Sequence, residues 1–266
     1  MSVLIAIPAR YASTRYPGKP LVELRGASGA ARSLIRRSWE AARAVEGADR
    51  VVVTTDDARI ADHARAFGAE VVMTSSDCRN GTERCAEVLE QLDAEPEIIV
   101  NLQGDAPLTP AWFVEDLVAG LRAAPQAQVA TPVLRADGRT LAGFRADRAA
   151  GRVGGTTAVF GEGNRALYFS KEVIPFADGD YAEDAPTPVF HHVGCYAYRP
   201  EALRGYAKAR PGTLEQLEGL EQLRFLEAGL DVLCVEVEAR GRQFWELNNP
   251  QDVPVIETML REMGLD

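Results

Sequence analysis

The sequence predicts an α/β fold in which a mostly parallel sheet carries helices on both faces. In the first half, short and continuously apolar runs alternate with segments whose apolar residues recur at helical spacing. The apolar runs contain few polar residues, which is typical of parallel strands buried on both faces. Helices between such strands indicate βαβ units with right-handed crossovers.

Strands and helices alternate through this first half. Three successive valines, Val51 to Val53, favour an extended chain because they are β-branched. Gly68 follows the second helical stripe and favours a helix C-terminus, since glycine adopts left-handed backbone angles. The predicted strands span 3–7, 50–54, 71–73 and 98–102, and the predicted helices span 34–45, 60–67, 82–92 and 110–121.

The second half is less regular. The Arg- and Gly-rich stretch 145–155 predicts a loop, and the acidic, proline-containing stretch 177–188 predicts a surface excursion. Without a long linker, residues 1–266 are predicted to form one domain. Further strands are predicted at 131–134, 156–160, 194–198 and 232–237, and helices at 214–226 and 253–263. The leucines expected to form a core stripe on the first of these helices are Leu214, Leu217, Leu220 and Leu223.

Composition excludes several classes of protein. The 266 residues include 29 Lys and Arg against 39 Asp and Glu, a net charge of −10 that argues against a nucleic-acid binder. No apolar run is long enough to cross a membrane, and the N-terminus lacks the basic region of a signal peptide. Four cysteines without metal-binding spacing make a zinc site and a disulfide framework unexpected. We therefore expect a cytoplasmic protein.

Three polar segments follow predicted strands and should meet in one crevice. They are 8–19, 74–82 and 103–107. Ligands of open α/β sheets bind beyond the carboxyl ends of the strands. These segments are therefore the candidates for a binding site.

The first segment carries an unusual concentration of positive charge. Arg10, Arg15 and Lys19 lie within a dozen residues of an otherwise acidic chain, together with Gly18. Arginine forks and a lysine ammonium suit the oxygens of a polyphosphate. The segment matches neither a Walker A loop nor GxGxxG. A solvated basic loop is the alternative.

The other two segments suggest a metal and a nucleoside. Asp105 ends an apolar strand, where a carboxylate facing phosphates suits Mg²⁺; capping of the next helix is the alternative. Backbone groups around Asn80, Gly81 and Thr82 are placed to contact a base or ribose, or else form only a turn and a helix cap. His191 and His192 have no third metal ligand near them, which leaves a surface pair or one functional histidine.

Six blocks occur along the chain in the order IPARYASTRYPGKPL, NGTERCAE, NLQGDAP, ALYFSKEVIPF, HHVGCYAYRP and LEQLEGLEQLRFLEAG. Together they resemble the 3-deoxy-manno-octulosonate (Kdo) cytidylyltransferase family. The resemblance implies a Rossmann-like nucleotidyltransferase fold with a smaller β-rich sub-domain for acceptor binding and dimerisation. It implies transfer of CMP from CTP to the anomeric hydroxyl of Kdo, with Mg²⁺, in a homodimer serving lipopolysaccharide biosynthesis. Residues 1–135 would then form the nucleotide-binding half and residues 136–266 the acceptor half.

Matched positions carry the implied roles over to this chain. Arg10, Arg15 and Lys19 correspond to the residues that hold the CTP phosphates, and Asp105 corresponds to a magnesium ligand. Arg10, Lys19 and Asp105 are the expected catalytic residues. The implied cytosine and ribose pocket is formed by Ala9, Asn80, Gly81 and Thr82, with Gln103 beside the reacting hydroxyl. The implied sugar site is formed by Gln103, Lys171, His192, Tyr196, Glu221 and Gln222.

The chain departs from the family pattern at three positions. Ala106 replaces the Glu of QGDEP, and Lys171 replaces an Arg of the sugar site. Asn248 stands where the family has a second metal-binding Asp, and Glu246 lies close enough in sequence to compensate. These changes lie near the metal or the acceptor. Two alternatives therefore stay open: a different acidic acceptor, such as an amino-Kdo, another ulosonic acid, a phosphonate or a sulfonate, or a CTP-binding protein without catalysis.

Overall fold

The computed structural model describes residues 2–13, 16–153, 155–242 and 245–266. The chain divides into two compact units. Unit 1 comprises Met1–Glu115 with Ala239–Asp266, and unit 2 comprises Asp116–Glu238. The last 28 residues therefore lie in unit 1, whereas the sequence-based division at 135 grouped them with the acceptor half. The roles of the two halves stay a prediction.

Unit 1 begins with the alternating strands and helices that the sequence predicts. Ser33 and Asn80 cap two of the helices, because their side chains accept hydrogen bonds from the backbone amides of Arg36 and Glu83. Gly68 follows the second helix with φ of +88°, as its predicted role requires. The elements of this part are β1 (Val3–Pro8), β2 (Glu23–Arg25), β3 (Ala31–Ser33), α1 (Leu34–Arg43), β4 (Arg50–Thr55), α2 (Ala58–Ala66), β5 (Glu70–Met73), α3 (Gly81–Glu90) and β6 (Ile98–Leu102). The next helix, α4 (Ala111–Ala123), contains the boundary between the two units.

The sheet of unit 1 is parallel, in the order β5-β4-β1-β6. Its central strand is buried from Val3 to Ile7, as expected of a strand covered on both faces. The small β2–β3 ribbon is separate. This arrangement confirms the predicted α/β fold, and it brings the segments that follow β1, β5 and β6 to the carboxyl edge of one sheet.

Unit 2 is richer in strands and mostly antiparallel. The strand β7 pairs antiparallel with β10 and β11 and parallel with β12, and β8 pairs antiparallel with β9 and β10. The elements are β7 (Val129–Asp137), α5 (Gly138–Ala149), β8 (Thr157–Phe160), β9 (Ala166–Ser170), β10 (Pro186–His192), β11 (Cys195–Tyr198), α6 (Pro200–Lys208), α7 (Thr213–Glu218), α8 (Leu223–Glu227) and β12 (Val232–Glu236).

Two sequence-based predictions for unit 2 are wrong. The first part of the predicted loop 145–155 belongs to α5, which runs to Ala149. The predicted helix 214–226 is two short helices, because Gly219 ends α7 with φ of +63°. The leucine stripe is consequently not a core stripe. Leu223 is buried, but Leu217 is 78% exposed.

The last helix, α9 (Asp252–Glu262), packs within unit 1. Its buried residues Ile256 and Leu260 join a core cluster together with Leu247. The other buried members of that cluster are Leu24, Leu34 and Leu108. Within the described ranges, no helix has both the length and the apolar character needed to cross a bilayer.

Candidate active site

The segment after β1 is anchored at both ends. The Ala9 amide donates to the Thr54 carbonyl at 2.9 Å, which ties the start of the segment to β4. At the other end Gly18 adopts φ of +71° and lies against the Tyr11 ring. The Arg59 guanidinium also lies over the Tyr11 ring, 3.3 Å from its centroid. These contacts hold the loop that presents Arg10, which is exposed.

Lys19 and Asp105 form an ion pair at the carboxyl edge of the sheet. The Lys19 Nζ atom lies 2.7 Å from Asp105 Oδ2, and the two side chains are 14% and 28% exposed. The pair joins the basic segment after β1 to the segment after β6, as predicted from their positions in the sheet. It also shows that the Asp105 carboxylate is oriented towards a cation. Arg15 lies outside the described residues.

The predicted second metal position lies on a segment bound directly to Asp105. The Leu247 amide donates to the Asp105 carbonyl at 3.0 Å, so Asn248 follows immediately after the contact. The Asn248 side-chain amide donates to Glu246 Oε2 at 3.3 Å, and its backbone amide donates to Asp252 Oδ2 at 2.9 Å. Both candidate ligands, Asn248 and Glu246, are therefore adjacent in space.

These donors are suited to magnesium. Asp105, Asn248 and Glu246 offer carboxylate and amide oxygens, which Mg²⁺ prefers, and a site with few protein ligands leaves positions for phosphate oxygens. In the described part of the chain, no cluster of three or more His, Cys, Asp and Glu side chains could hold a metal by itself. The oxygen donors of Asp105, Asn248 and Glu246 fit a cation that also binds phosphate oxygens.

The residues predicted to contact the nucleoside surround the start of α3. The Asn80 side chain caps the helix at 2.9 Å from the Glu83 amide, and Thr82 is buried. A Cβ atom on Gly81 would lie 2.7 Å from Asn101 Nδ2 and 3.2 Å from Gln103 Nε2. Glycine is thus needed at position 81 for the close approach of α3 to the end of β6. Asn80 rather than Thr82 caps the helix.

Unit 2 assembles three of the residues predicted for the sugar site. The Tyr196 hydroxyl donates to Gln222 Oε1 at 3.1 Å, and the His192 ring lies 5.6 Å from the Tyr196 ring. Gln222 is 1% exposed, and its Nε2 atom has no hydrogen-bond acceptor among the described residues. A buried donor in this state is costly unless a ligand or water accepts from it.

His192 is held as a neutral hydrogen-bonding group. Its Nε2 atom lies 2.9 Å from the Thr131 hydroxyl, which itself donates to the Cys195 carbonyl at 2.9 Å. Since Thr131 has one proton, this network assigns the ring proton to Nε2 and leaves Nδ1 as an acceptor. Burial lowers the pKa of His192 to about 3. The adjacent His191 packs on Phe144 instead, so the two histidines do not act as a metal pair.

Glu218 orders the region around Lys171, another residue predicted for the sugar site. The Glu218 carboxylate accepts from the Ser170 hydroxyl at 2.7 Å and from the Lys171 amide at 3.0 Å. The Lys171 ammonium lies next to Gly219, where an added Cβ would be 2.9 Å away. The Glu221 carbonyl accepts from Tyr206. The sequence did not single out Glu218 for this role, because its partners are 47 and 48 residues away.

The fold and these groups define the class of nucleotidyltransferases. A scan of protein families matches residues 4–232 to the cytidylyltransferase family. The 3-deoxy-manno-octulosonate cytidylyltransferase of Maricaulis maris is 45% identical over 264 residues, which cover 99% of each chain. The mitochondrial enzyme of that name from Arabidopsis thaliana is 38% identical, with 97% of this chain and 83% of its own length covered.

Solved structures agree with these relatives. A CMP:2-keto-3-deoxy-manno-octonic acid synthetase complexed with CTP matches with a TM-score of 0.83 and 33% identity, covering 99% of this chain and all of that one. A cytidylyltransferase from Leptospira borgpetersenii, 16% identical with a TM-score of 0.59, shares the fold. The chain is a nucleotidyltransferase enzyme, and it belongs to the 3-deoxy-manno-octulosonate cytidylyltransferase family.

Proposed function

We propose that the protein transfers CMP from CTP to the anomeric hydroxyl of Kdo, releasing pyrophosphate. The observation that carries the proposal is the Lys19–Asp105 pair at the carboxyl edge of a parallel sheet, where a basic loop and a cation-binding carboxylate meet. A solved relative of the same fold is described as complexed with CTP, which supports the nucleotide. The names of the full-length relatives support the acceptor.

The basic loop binds the triphosphate in this proposal. Arg10 is exposed at the carboxyl edge, and Lys19 has one ammonium that can exchange its carboxylate partner for a phosphate oxygen. Both residues stabilise the charge that gathers on the departing pyrophosphate. Arg15 is assigned the same role from its position in the sequence. Because no covalent intermediate is required, correct positioning and charge neutralisation account for the catalysis.

Asp105 and Asn248 are proposed to hold magnesium, with Glu246 as the neighbouring oxygen donor. When bound, the ion neutralises phosphate charge and lowers the pKa of a hydroxyl that it contacts. The carboxylate of Asp105 supplies the negative charge of the site, and the hydrogen bond from Leu247 keeps the Asn248 segment beside it. Asn248 contributes an oxygen without charge.

The nucleoside is proposed to lie against Ala9, Asn80, Gly81 and Thr82. The start of α3 is a helix N-terminus whose backbone N–H groups can donate to an acceptor on the base or ribose. A Cβ atom on Gly81 would lie 3.2 Å from Gln103 Nε2, and this proximity supports a role for the Gln103 amide at the same pocket. We assign Gln103 to the contact with the reacting hydroxyl.

The acceptor is proposed to bind in unit 2, at the polar group formed by Gln222, His192 and Tyr196. A sugar hydroxyl both donates and accepts hydrogen bonds. It could accept from the buried Gln222 Nε2 atom and donate to His192 Nδ1. Tyr196 orients the Gln222 amide. Lys171 supplies a positive charge for the sugar carboxylate, and Glu221 completes the set. A lysine gives this site a single point charge rather than a bidentate fork.

We further propose that the protein is a homodimer through unit 2. Large apolar side chains are exposed on this unit, among them Leu167, Phe176 and Leu217. Phe176 is 88% exposed, and covering an aromatic side chain of this size with a partner surface would be favourable. A second copy of the chain is the partner that the family expectation supplies.

The proposed function is tested by pyrophosphate release in the presence of Mg²⁺, CTP and Kdo. ATP, GTP and UTP serve as nucleotide controls, and omission of Kdo controls for hydrolysis. We expect pyrophosphate release in the presence of Mg²⁺ only when the nucleotide is CTP and Kdo is present. If pyrophosphate is released only with another acidic sugar, a phosphonate or a sulfonate, that compound rather than Kdo is the acceptor. CTP binding without release for any acceptor would contradict catalysis.

A further inference from the structure

Arg84 is a buried cation for which the proposed reaction has no role. It is 3% exposed and lies at the end of the first turn of α3, and its guanidinium points towards the carboxyl ends of β4 and β5. The Arg84 Nη2 atom donates to Asp56 Oδ1 at 3.0 Å, just beyond β4. A buried arginine of this kind is retained only when its charge and its donors are satisfied.

The other half of the guanidinium binds the segment that leads to the nucleoside pocket. Arg84 Nη1 donates to Thr74 Oγ1 at 2.6 Å and to the Ser75 carbonyl at 3.3 Å. Thr74 Oγ1 also accepts from the Thr54 hydroxyl at 3.3 Å. The fork of one arginine therefore joins the end of β4, the start of the 74–80 segment and the first turns of α3.

The same network reaches the loop after β1. The Thr54 carbonyl accepts from the Ala9 amide, and the Thr54 hydroxyl donates to Thr74. Thr54 therefore binds both predicted nucleotide-binding segments, the one after β1 and the one after β5. Farther along the same face of α3, Glu87 accepts from the Ser75 amide at 2.8 Å and Gln91 donates to the Met73 carbonyl at 3.0 Å. Residues 84, 87 and 91 are spaced to lie on one face of α3 and its C-cap, and that face binds the end of β5 and the start of the 74–80 segment.

We propose that Arg84 is a positioning residue that sets the geometry of the nucleoside pocket and thereby its selectivity for CTP. This inference rests on the proposed function. It goes beyond that function because Arg84 and Thr74 are themselves buried and act through the 74–82 segment rather than by touching the nucleotide. Asp56 neutralises the buried guanidinium, and Thr74 fixes its orientation.

Substitutions at two positions, Thr74 and Arg84, separate this role from general stability. Thr74→Val keeps the shape of the side chain but removes the oxygen that accepts from Arg84, whereas Thr74→Ser keeps that oxygen. Arg84→Lys keeps the charge but cannot donate to Asp56 and Thr74 in the fork of the guanidinium. The matched control is Arg37→Met, because Arg37 is also a buried arginine of unit 1 but binds the Leu24 carbonyl, away from the pocket segments.

Affinity for CTP and for UTP is measured by calorimetry, together with the KM values for CTP and Kdo, at a temperature where every variant is folded. Thr74→Val and Arg84→Lys are expected to weaken CTP binding about tenfold and to reduce the CTP/UTP preference, with the KM for Kdo unchanged. Thr74→Ser is expected to restore most of the affinity. Arg37→Met is expected to lower the melting temperature without changing the CTP/UTP preference.

The result that overturns the inference is a folded Arg84→Lys or Thr74→Val variant with the parent's CTP affinity and CTP/UTP preference. An equal loss of selectivity in Arg37→Met would also overturn it, since selectivity would then follow stability. If the parent chain binds CTP but releases no pyrophosphate, the proposed reaction fails while the binding comparison still decides the role of Arg84. A parent chain that binds no CTP contradicts both.

Discussion

Asp105 is the residue on which the proposed chemistry depends most directly. Changing Asp105→Asn keeps the size of the side chain but removes the charge that attracts Lys19 and a metal ion. We expect turnover to fall by at least about 100-fold, since preorganised charge in such a site has effects of this size. The pair is partly exposed, so the melting temperature should change by only a few degrees. Normal activity would remove Asp105 from the metal site.

Asn248 allows a test in the opposite direction. Changing Asn248→Asp adds a carboxylate to a segment already bound to the Asp105 carbonyl. We expect Mg²⁺ to bind as tightly or more tightly, measured by titration of activity and by calorimetry with Mg²⁺ and CTP. The exposed Glu246→Gln variant tests the other oxygen donor. A sharp loss of Mg²⁺ affinity in Asn248→Asp would mean that position 248 is not a ligand.

His192 connects stability to pH. Its pKa is lowered to about 3 because burial disfavours the imidazolium, whereas the unfolded side chain titrates near 6.5. The unfolded state therefore binds the extra proton first, and stability is lost as the pH falls below about 6.5. Between pH 7 and pH 5 this single residue should remove about 2 kcal/mol from the free energy of unfolding.

Urea denaturation at pH 7 and pH 5 measures this effect. Glutamine cannot titrate but can still hydrogen-bond to Thr131. In His192→Gln, the decrease in the free energy of unfolding between pH 7 and pH 5 should therefore be smaller by about 2 kcal/mol. The neighbouring His191, with a pKa lowered to about 4, accounts for a residual slope in the variant. Identical pH dependence in the parent and the variant would contradict the burial of a neutral His192.

The break between α7 and α8 links an element boundary to the acceptor group. Gly219→Ala places a side chain at φ of +63° and within 2.9 Å of the Lys171 ammonium. We expect a cost of about 1 kcal/mol in stability from the backbone alone, and a higher KM for the acceptor because Lys171 must move. The KM for CTP should not change.

Gly205→Ala is the matched control for that variant. Gly205 lies within α6, and a Cβ atom there meets no other atom within 4 Å. It should therefore stabilise the helix and leave both KM values unchanged. An unchanged acceptor KM in Gly219→Ala would separate Lys171 from acceptor binding.

Strands were easier to predict from the sequence than the helices of unit 2. The run 98–102 agrees with β6 at both ends, because continuous burial of a strand leaves a continuous apolar pattern. The helix α5 buries only Leu141 and Phe144 besides Gly138, and its remaining positions are largely polar. Its apolar pattern is too short to distinguish a helix from a loop.

The prediction of a leucine core stripe was wrong for a different reason. The spacing of Leu214, Leu217 and Leu220 is helical, but spacing alone does not say what covers the face that it creates. Glu215 is buried instead, in an ion pair in which Arg224 donates to both of its carboxylate oxygens at 2.6 Å. A buried arginine–carboxylate pair has no apolar pattern, so the sequence could not show it.

The contacts of the candidate site also differ in whether the sequence could predict them. The meeting of Lys19 with Asp105 was predictable, since strand order in a parallel sheet places their segments at one edge. The contacts of Glu218 with Ser170 and of Thr131 with His192 join residues 48 and 61 positions apart. Such contacts depend on the register of antiparallel strands and on loop geometry, neither of which the residue types specify.

For the whole molecule, the exposed apolar side chains of unit 2 lead to a prediction about assembly. We expect sedimentation equilibrium to give twice the mass of 28.9 kDa, and Leu217→Glu with Phe176→Glu to give the single mass. Met73→Glu is the matched control, because Met73 is an exposed apolar residue of unit 1. A parent chain that sediments as a monomer would contradict the dimer.

The return of the chain to unit 1 has a consequence for biosynthesis. Residues 116–238 are inserted between the two parts of unit 1, and Leu247, Ile256 and Leu260 complete the cluster that Leu24 and Leu34 begin. A ribosome making this protein therefore delivers all of unit 2 while the earlier unit still lacks part of its core. The nascent part of unit 1 must stay soluble through the synthesis of more than 100 residues, and the Asn248 segment reaches Asp105 only after unit 2 has been made.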